Sequence, residues 1–340
     1  MTQKRALLVG VNSYKDVRIK NLNYAIGDAS RLFGLLANLP DFDAVLLPDP
    51  SAEEVIARME KMVFGQEATA GEKEVLPLSE GDLFFFYFAG HGFQPPGKDQ
   101  HLLLCKNALH DVLQGHGTNG SVPHTFLKEK AQQSLADMIF CFDACRSSVL
   151  RDRRGAAPMA GSAFLRDIGV GQNKRGACMT ILSCSDGESA EEREDLEAGI
   201  FTYSLCEQMR DRLKKNRSII FDTEMMASVA KCVEQYGEQT PTFTLPAGRQ
   251  FVLFHGTSDA KTGGGEIPLP RVELPEPAPV KEQPEVDTET LLTEVRKRAE
   301  EEAAKIIAAA KRQAEAITKV PSPPPPPPRR LNQRRATAWS

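Results

Sequence analysis

The sequence predicts an α/β protein, with a mostly parallel central sheet flanked by helices and a low-complexity C-terminal tail. Two observations carry this. Over the first 256 residues, short apolar runs suited to buried strands alternate with segments whose apolar residues recur every three or four positions. All 17 Phe and all 5 Tyr precede residue 255, whereas 13 of the 23 Pro follow residue 265. A stretch without these aromatics and rich in proline cannot bury enough apolar surface to build a core. One folded domain is therefore expected over 1–256.

The elements follow in order. Arg5–Val11 is an apolar run closed by Asn12, the pattern of a buried strand. Tyr24–Asn38 carries Ile26, Ala29, Leu32, Phe33, Leu36 and Ala37 at helical spacing. Ala44–Leu47 is a second short strand. Ser51 and Glu54 form a capping box at the head of a helix over Ala52–Val63. Gly81–Gly90 is a nearly continuous aromatic run, too short to span a membrane, and reads as a central strand. Asp137–Asp143 and Cys178–Cys184 are further strands. Gly199–Leu213 and Phe221–Tyr236 suit helices, and Arg249–Phe254 a last strand.

The charge balance excludes some classes. Lys and Arg total 42 against 46 Asp and Glu, a net charge of −4. That gives no basic domain for nucleic acid. No apolar run reaches the ~18 residues of a membrane helix. The N-terminus lacks a secretory pattern, so a cytoplasmic location is expected. The tail from Lys261 holds 14 basic and 12 acidic residues, leaving 28 basic and 34 acidic before it, so the folded part is the acidic one. Seven cysteines are present without a C-x-x-C pair, which argues for a nucleophile rather than a staple or a zinc ribbon.

Beyond the domain, 257–286 reads as a flexible linker containing Gly263–Gly265. The stretch 287–319 reads as an Ala-rich amphipathic helix able to bind a partner. Residues 320–340 form a disordered Pro/Arg tail, where six consecutive prolines give a polyproline II segment and Pro325–Arg330 fits a P-x-x-P-x-R docking pattern.

Reactive groups on α/β sheets sit at the carboxyl ends of strands. There the sequence places Gly90-His91-Gly92 after one strand and Ala144-Cys145-Arg146 after another, 54 residues apart from His to Cys. A thiolate is the nucleophile, and a neighbouring imidazole takes the thiol proton. The N–H groups of Gly92 and Cys145 are candidate oxyanion donors, each worth roughly 2.7–4 kcal/mol. Cys141, Cys178, Cys184, Cys206 and Cys232 read as packed core thiols. His101, His110, His116 and His124 gather near Cys105, but their spacing is not that of a zinc site, and no metal is expected.

The run FYFAGHG with His91, then FDACRS with Cys145, resembles the caspase-like cysteine peptidases. An Asp two residues before the Cys is the metacaspase and paracaspase pattern. LLVGVNSY (Leu7–Tyr14), LNYAIGDASRL (Leu22–Leu32) and LSCSDGE with GIFT (Leu182–Glu188, Gly199–Thr202) extend the resemblance over roughly residues 4–255. It implies a caspase-like fold and an endopeptidase that cuts protein or peptide substrates after Arg or Lys, acting in regulated proteolysis or a defence or cell-death pathway. By position, Asp28, Asp143 and Glu188, with Asp186 as the alternative to Glu188, would line the S1 pocket; convergent carboxylates select a basic P1 side chain. Ala89 stands where metacaspases commonly have Ser. The sequence offers no carboxylate set for calcium, and no cofactor is expected. The segment 151–176 matches the family's processing linker, and Arg151, Arg153, Arg154, Arg166, Lys174 and Arg175 are its candidate cleavage sites. The alternative function is a non-catalytic caspase-fold scaffold in a signalling complex, which the intact His91–Cys145 pair argues against.

Overall fold

The computed structural model describes residues 2–68, 73–95, 100–113, 115–145, 176–185 and 188–257. In chain order the elements are β1 (Lys4–Gly10), α1 (Ala25–Leu36), β2 (Phe42–Pro48), α2 (Ala52–Phe64), β3 (Leu83–Phe93), β4 (Leu102–Leu104) and α3 (His110–Leu113). Then come β5 (Ser121–Pro123), α4 (His124–Gln133), β6 (Asp137–Cys145), β7 (Cys178–Leu182), β8 (Glu192–Arg193), β9 (Ala198–Gly199) and α5 (Ile200–Lys214). The last are β10 (Ile219–Phe221), α6 (Thr223–Val233), β11 (Thr242–Thr244) and β12 (Phe251–Phe254).

The central sheet runs β11-β7-β6-β3-β1-β2. From β2 to β7 every pairing is parallel, and β11 closes one edge antiparallel to β7. The short strands β4 and β5 extend from β3. A parallel sheet buried on both faces needs strands that are apolar at every position, and β3 is buried along its whole length. The two-residue alternation of a strand divides that aromatic run. Phe84, Phe86 and Phe88 join the core under α2 and α4, while Phe85 and Tyr87 join the core under α1, α5 and α6. Phe86 meets Phe140 and Phe142 edge-on, each ring 6.1 Å away.

Several expectations are sharpened. The Ser51–Glu54 capping box forms, each side chain bonding the other residue's backbone N–H. The aromatic strand does not stop at Gly90. Pairing of Gly92 and Phe93 with Leu103 and Leu102 carries it through His91 and Gly92. The strand expected to end at Asp143 likewise continues to Cys145. His91 and Cys145 are therefore strand residues rather than loop residues. The strand at 251–254 is not part of the central sheet; it pairs with β10 in a separate two-stranded ribbon. The sheet edge belongs instead to β11, three residues lying between Pro241 and Pro246.

The histidine-rich stretch folds into β4, α3, β5 and α4. His101 and His124 are buried there, the His101 N–H donating to His124 Nδ1 at 2.9 Å and the His124 N–H to the His101 carbonyl at 2.9 Å. Most of the 151–176 segment, with Arg151, Arg153, Arg154, Arg166, Lys174 and Arg175, lies outside the described residues, as do Asp186 and everything expected from residue 258 onward.

Candidate active site

The site lies where β3 and β6 reach the carboxyl edge of the sheet. These strands are direct neighbours, and their parallel register pairs Ala89 with Asp143, Gly90 with Ala144 and His91 with Cys145. Adjacent strands lie about 4.8 Å apart, so the two motifs seen in the sequence come together at backbone level. Gly92, the expected oxyanion donor, is buried and pairs with Leu103.

His91 is 1% exposed. Its Nε2 lies 2.7 Å from the carbonyl oxygen of Lys20. A carbonyl only accepts, so Nε2 carries the proton and Nδ1 of the neutral ring carries the lone pair. Nδ1 is buried without a hydrogen-bond partner among the described residues. The ring stacks on Tyr14, with centroids 5.0 Å apart and planes 30° apart, and the His91 N–H donates to the Tyr14 hydroxyl at 3.0 Å. Burial pushes the imidazole down to about 4, so it is a neutral base at physiological pH.

The Lys20 carbonyl comes from the loop that follows β1. That loop is fixed by its own polar side chains. Asn12 Oδ1 accepts the Ile26 N–H at 3.0 Å and Asn12 Nδ2 donates to the Asn23 carbonyl at 3.0 Å. Asn21 Oδ1 accepts the Tyr14 N–H at 3.2 Å, and Asp49 Oδ1 accepts from the N–H groups of Asn12 and Ser13. Asp16 takes the Arg18 guanidinium and the His110 N–H, which holds its carboxyl well below the usual carboxylate range.

The second feature is a pair of buried carboxyls. Asp28, on the buried face of α1, and Asp143, in β6, are 3% and 7% exposed. They flank Gly199, where an added Cβ would sit 2.9 Å from Oδ2 of each. Only glycine leaves that gap open. The Gly199 N–H donates to Asp28 Oδ2 at 2.9 Å, and Arg31 stands 3.5 Å from Asp28 Oδ1. Asp143 accepts the Thr202 hydroxyl at 2.6 Å. Burial, then the charge of Asp143, raises Asp28 well above the ordinary carboxylate range; burial also raises Asp143.

Of the sequence-predicted S1 residues, Asp28 and Asp143 are brought together. Glu188 is engaged within its own neighbourhood, accepting the Ser185 N–H at 3.0 Å, the Thr240 N–H at 2.6 Å and the Thr240 hydroxyl at 2.9 Å. The further carboxylate that acts electrostatically on both Asp28 and Asp143 is Glu192, which also accepts the Tyr24 N–H at 3.1 Å. The sequence analysis did not single out Glu192, one of several acidic residues between 188 and 197 with no motif to distinguish it. The Lys20 carbonyl was missed because a backbone acceptor has no residue signature. Among the other cysteines, burial raises the thiols of Cys105, Cys141, Cys178 and Cys206, with Cys178 and Cys206 pushed up to about 12, which makes them poor nucleophiles.

A histidine beside a cysteine at the carboxyl edge of an α/β sheet is an arrangement that thiol-dependent hydrolases use. The chain belongs to the caspase-domain family of cysteine peptidases, whose model matches residues 3–252. No curated relative matches the sequence. Among solved structures, the crystal structure of caspase-1 from Spodoptera frugiperda is similar at 15% identity, covering 76% of this chain and 92% of that one, with a TM-score of 0.47. No helix among the described residues is long and apolar enough to cross a membrane.

Proposed function

We propose that the protein is a cysteine endopeptidase that cleaves peptide bonds after Arg or Lys. The observation that carries the reading is the register of β6 against β3, which puts Cys145 opposite His91 and, two residues earlier on the same strand, Asp143 beside Asp28.

The chemistry follows from the residues. The Cys145 thiol gives its proton to Nδ1 of His91, and the sulfur attacks the scissile carbonyl carbon. The Lys20 carbonyl holds the imidazole in the tautomer this requires and stabilises the imidazolium that forms. The N–H groups of Gly92 and Cys145 receive the oxyanion. Collapse expels the amine, which takes the proton back from His91 and leaves a thioester on Cys145; water, deprotonated by the same ring, releases the acid. A guanidinium or ammonium entering between Asp28 and Asp143 would meet carboxyl groups that burial keeps from ionising easily and that a cation relieves. An Asp side chain there would add a further acid to a site already reluctant to hold negative charge.

The test is hydrolysis of matched peptides with Arg, Lys or Asp at P1, by wild type and Cys145→Ala. Cleavage confined to Arg and Lys substrates and lost in the variant is expected. Activity on Asp alone would remove the S1 assignment, and activity surviving in Cys145→Ala would remove the nucleophile. Self-processing within 151–176 is part of the same reading. Intact-mass measurement of wild type and Cys145→Ala should give fragments for the first only; two identical full-length masses would reject it.

A further inference from the structure

Behind the carboxyl pair lies a short chain of hydroxyl groups that the cleavage mechanism does not use. Tyr87, in the middle of β3, and Thr202, in the first turn of α5, are both fully buried. Their oxygens are 2.6 Å apart, and the Thr202 hydroxyl lies 2.6 Å from Asp143 Oδ2. Thr202 has one proton and gives it to the carboxylate, so the hydroxyl proton of Tyr87 points at Thr202. A separation of 2.6 Å falls in the range of hydrogen bonds to an ionised acceptor.

The two carboxyls are therefore unequally solvated. Asp143 receives the Thr202 hydroxyl at 2.6 Å, and the nearby Thr202 backbone and Ser183 side chain also favour its ionised form. Asp28 receives one backbone N–H and a guanidinium 3.5 Å away. Among the described residues, the titratable and charged groups facing the pair are Arg31 from α1, Tyr87 from β3, Cys141 from β6, Glu192 from β8 and Cys206 from α5. Among them only Arg31 is cationic, and it sits on the Asp28 side. When two like charges share one buried site, a single proton goes to the less well solvated member.

We propose that Thr202, backed by Tyr87, is a specificity-determining positioning residue: its hydroxyl keeps Asp143 the ionised member of the pair, so that Asp28 is the member whose proton leaves to water when a basic P1 side chain enters. The inference rests on the S1 reading above. It gives the pocket two functions, a fixed anion that attracts the cation and a titrating partner that completes the clamp. Recognition of Arg then weakens on acidification through Asp28 rather than through both groups together.

The test uses the full-length protein and two reagents that alkylate Cys145, an arginyl chloromethyl ketone and iodoacetamide, between pH 5 and 8.5. Thr202→Val keeps the shape and removes the donor. Losing one hydrogen bond to a charged group corresponds to about a tenfold rise in the half-saturating concentration of the arginyl reagent. The acidic limb should also move to higher pH, while the iodoacetamide rate is unchanged. Thr202→Ser should restore both properties, and Tyr87→Phe should shift them in the same direction, by about threefold. An unchanged half-saturation and acidic limb in Thr202→Val overturns the proposal, as does a parallel loss of iodoacetamide reactivity. If the valine variant does not fold, Tyr87→Phe decides alone, an unmoved limb being fatal. If wild type itself prefers an aspartyl reagent, the S1 reading fails and takes this inference with it; an arginyl preference with an insensitive Thr202→Val removes only the inference.

Discussion

Replacing Asp28 with Asn should make the ligand-free protein more stable and the enzyme worse. Oδ2 of Asp28 and Oδ2 of Asp143 each lie 2.9 Å from one point above Gly199, so they are separated by no more than twice that distance. At such a separation, with an effective dielectric constant near 20, two carboxylates repel by about 3 kcal/mol. Asn keeps an oxygen for the Gly199 N–H and removes the charge. A carboxyl whose folded-state pKa is raised holds a proton that the unfolded chain releases near pH 4, so folding loses stability as pH climbs toward the folded value. The gain from Asp28→Asn should therefore be small near pH 4.5 and grow toward pH 8. There ~3 kcal/mol corresponds to a rise in melting temperature of roughly 6–12 °C for a domain of this size. The same substitution removes one charge from the P1 clamp and should raise KM for an Arg-P1 peptide by about 100-fold. Circular dichroism melts at pH 4.5 and 8, paired with peptide kinetics, measure both effects. A variant less stable than wild type at pH 8, or one with an unaltered KM, would refute the reasoning.

Other expectations are simpler. Because burial holds His91 near 4, an acidic limb in kcat/KM above pH 5 should come from the carboxyl pair and vanish in Asp28→Asn; a limb that stays in place would return it to the imidazole. Phe86→Ala empties a fully buried site against Phe140 and Phe142, and urea unfolding should show a loss of about 3–5 kcal/mol. Ser51→Ala breaks the capping box of α2 and should lower stability by about 1 kcal/mol. A loss above 3 kcal/mol there would mean that Ser51 does more than cap the helix.

The sequence made the strands of the sheet centre legible because a two-sided burial requirement writes itself as an unbroken apolar run, as at 83–88. It made His91 and Cys145 legible because both sit in distinctive glycine and acidic surroundings at strand ends. Their pairing is an inference from topology, and the register between β3 and β6 sets the two residues opposite each other at backbone level. Short edge strands were not legible. Thr242–Thr244 has three residues between prolines, too few for a period to show. Phe251–Phe254 looks the same in sequence whether it joins the main sheet or β10, because hydrophobic pattern encodes burial and not partner. Site residues that act through backbone atoms or through a hydroxyl were equally silent. Lys20 contributes a carbonyl that any residue has, and Thr202 looks like one more residue on the buried side of a helix.

The β6–β7 ladder has a consequence for the molecule's integrity. His91, Cys145, Asp28 and Asp143 all precede residue 146, whereas Glu192, Gly199 and Thr202 follow residue 175. The two segments are zipped together by five paired positions, from Met138 with Cys178 to Phe142 with Leu182, and share one core through Ile139, Cys141, Met179 and Ile181. A backbone break between them would leave His91, Cys145, Asp28 and Asp143 on one polypeptide and Glu192, Gly199 and Thr202 on another. Such a nicked molecule would run as two bands in detergent yet elute as a single species until the ladder was pulled apart.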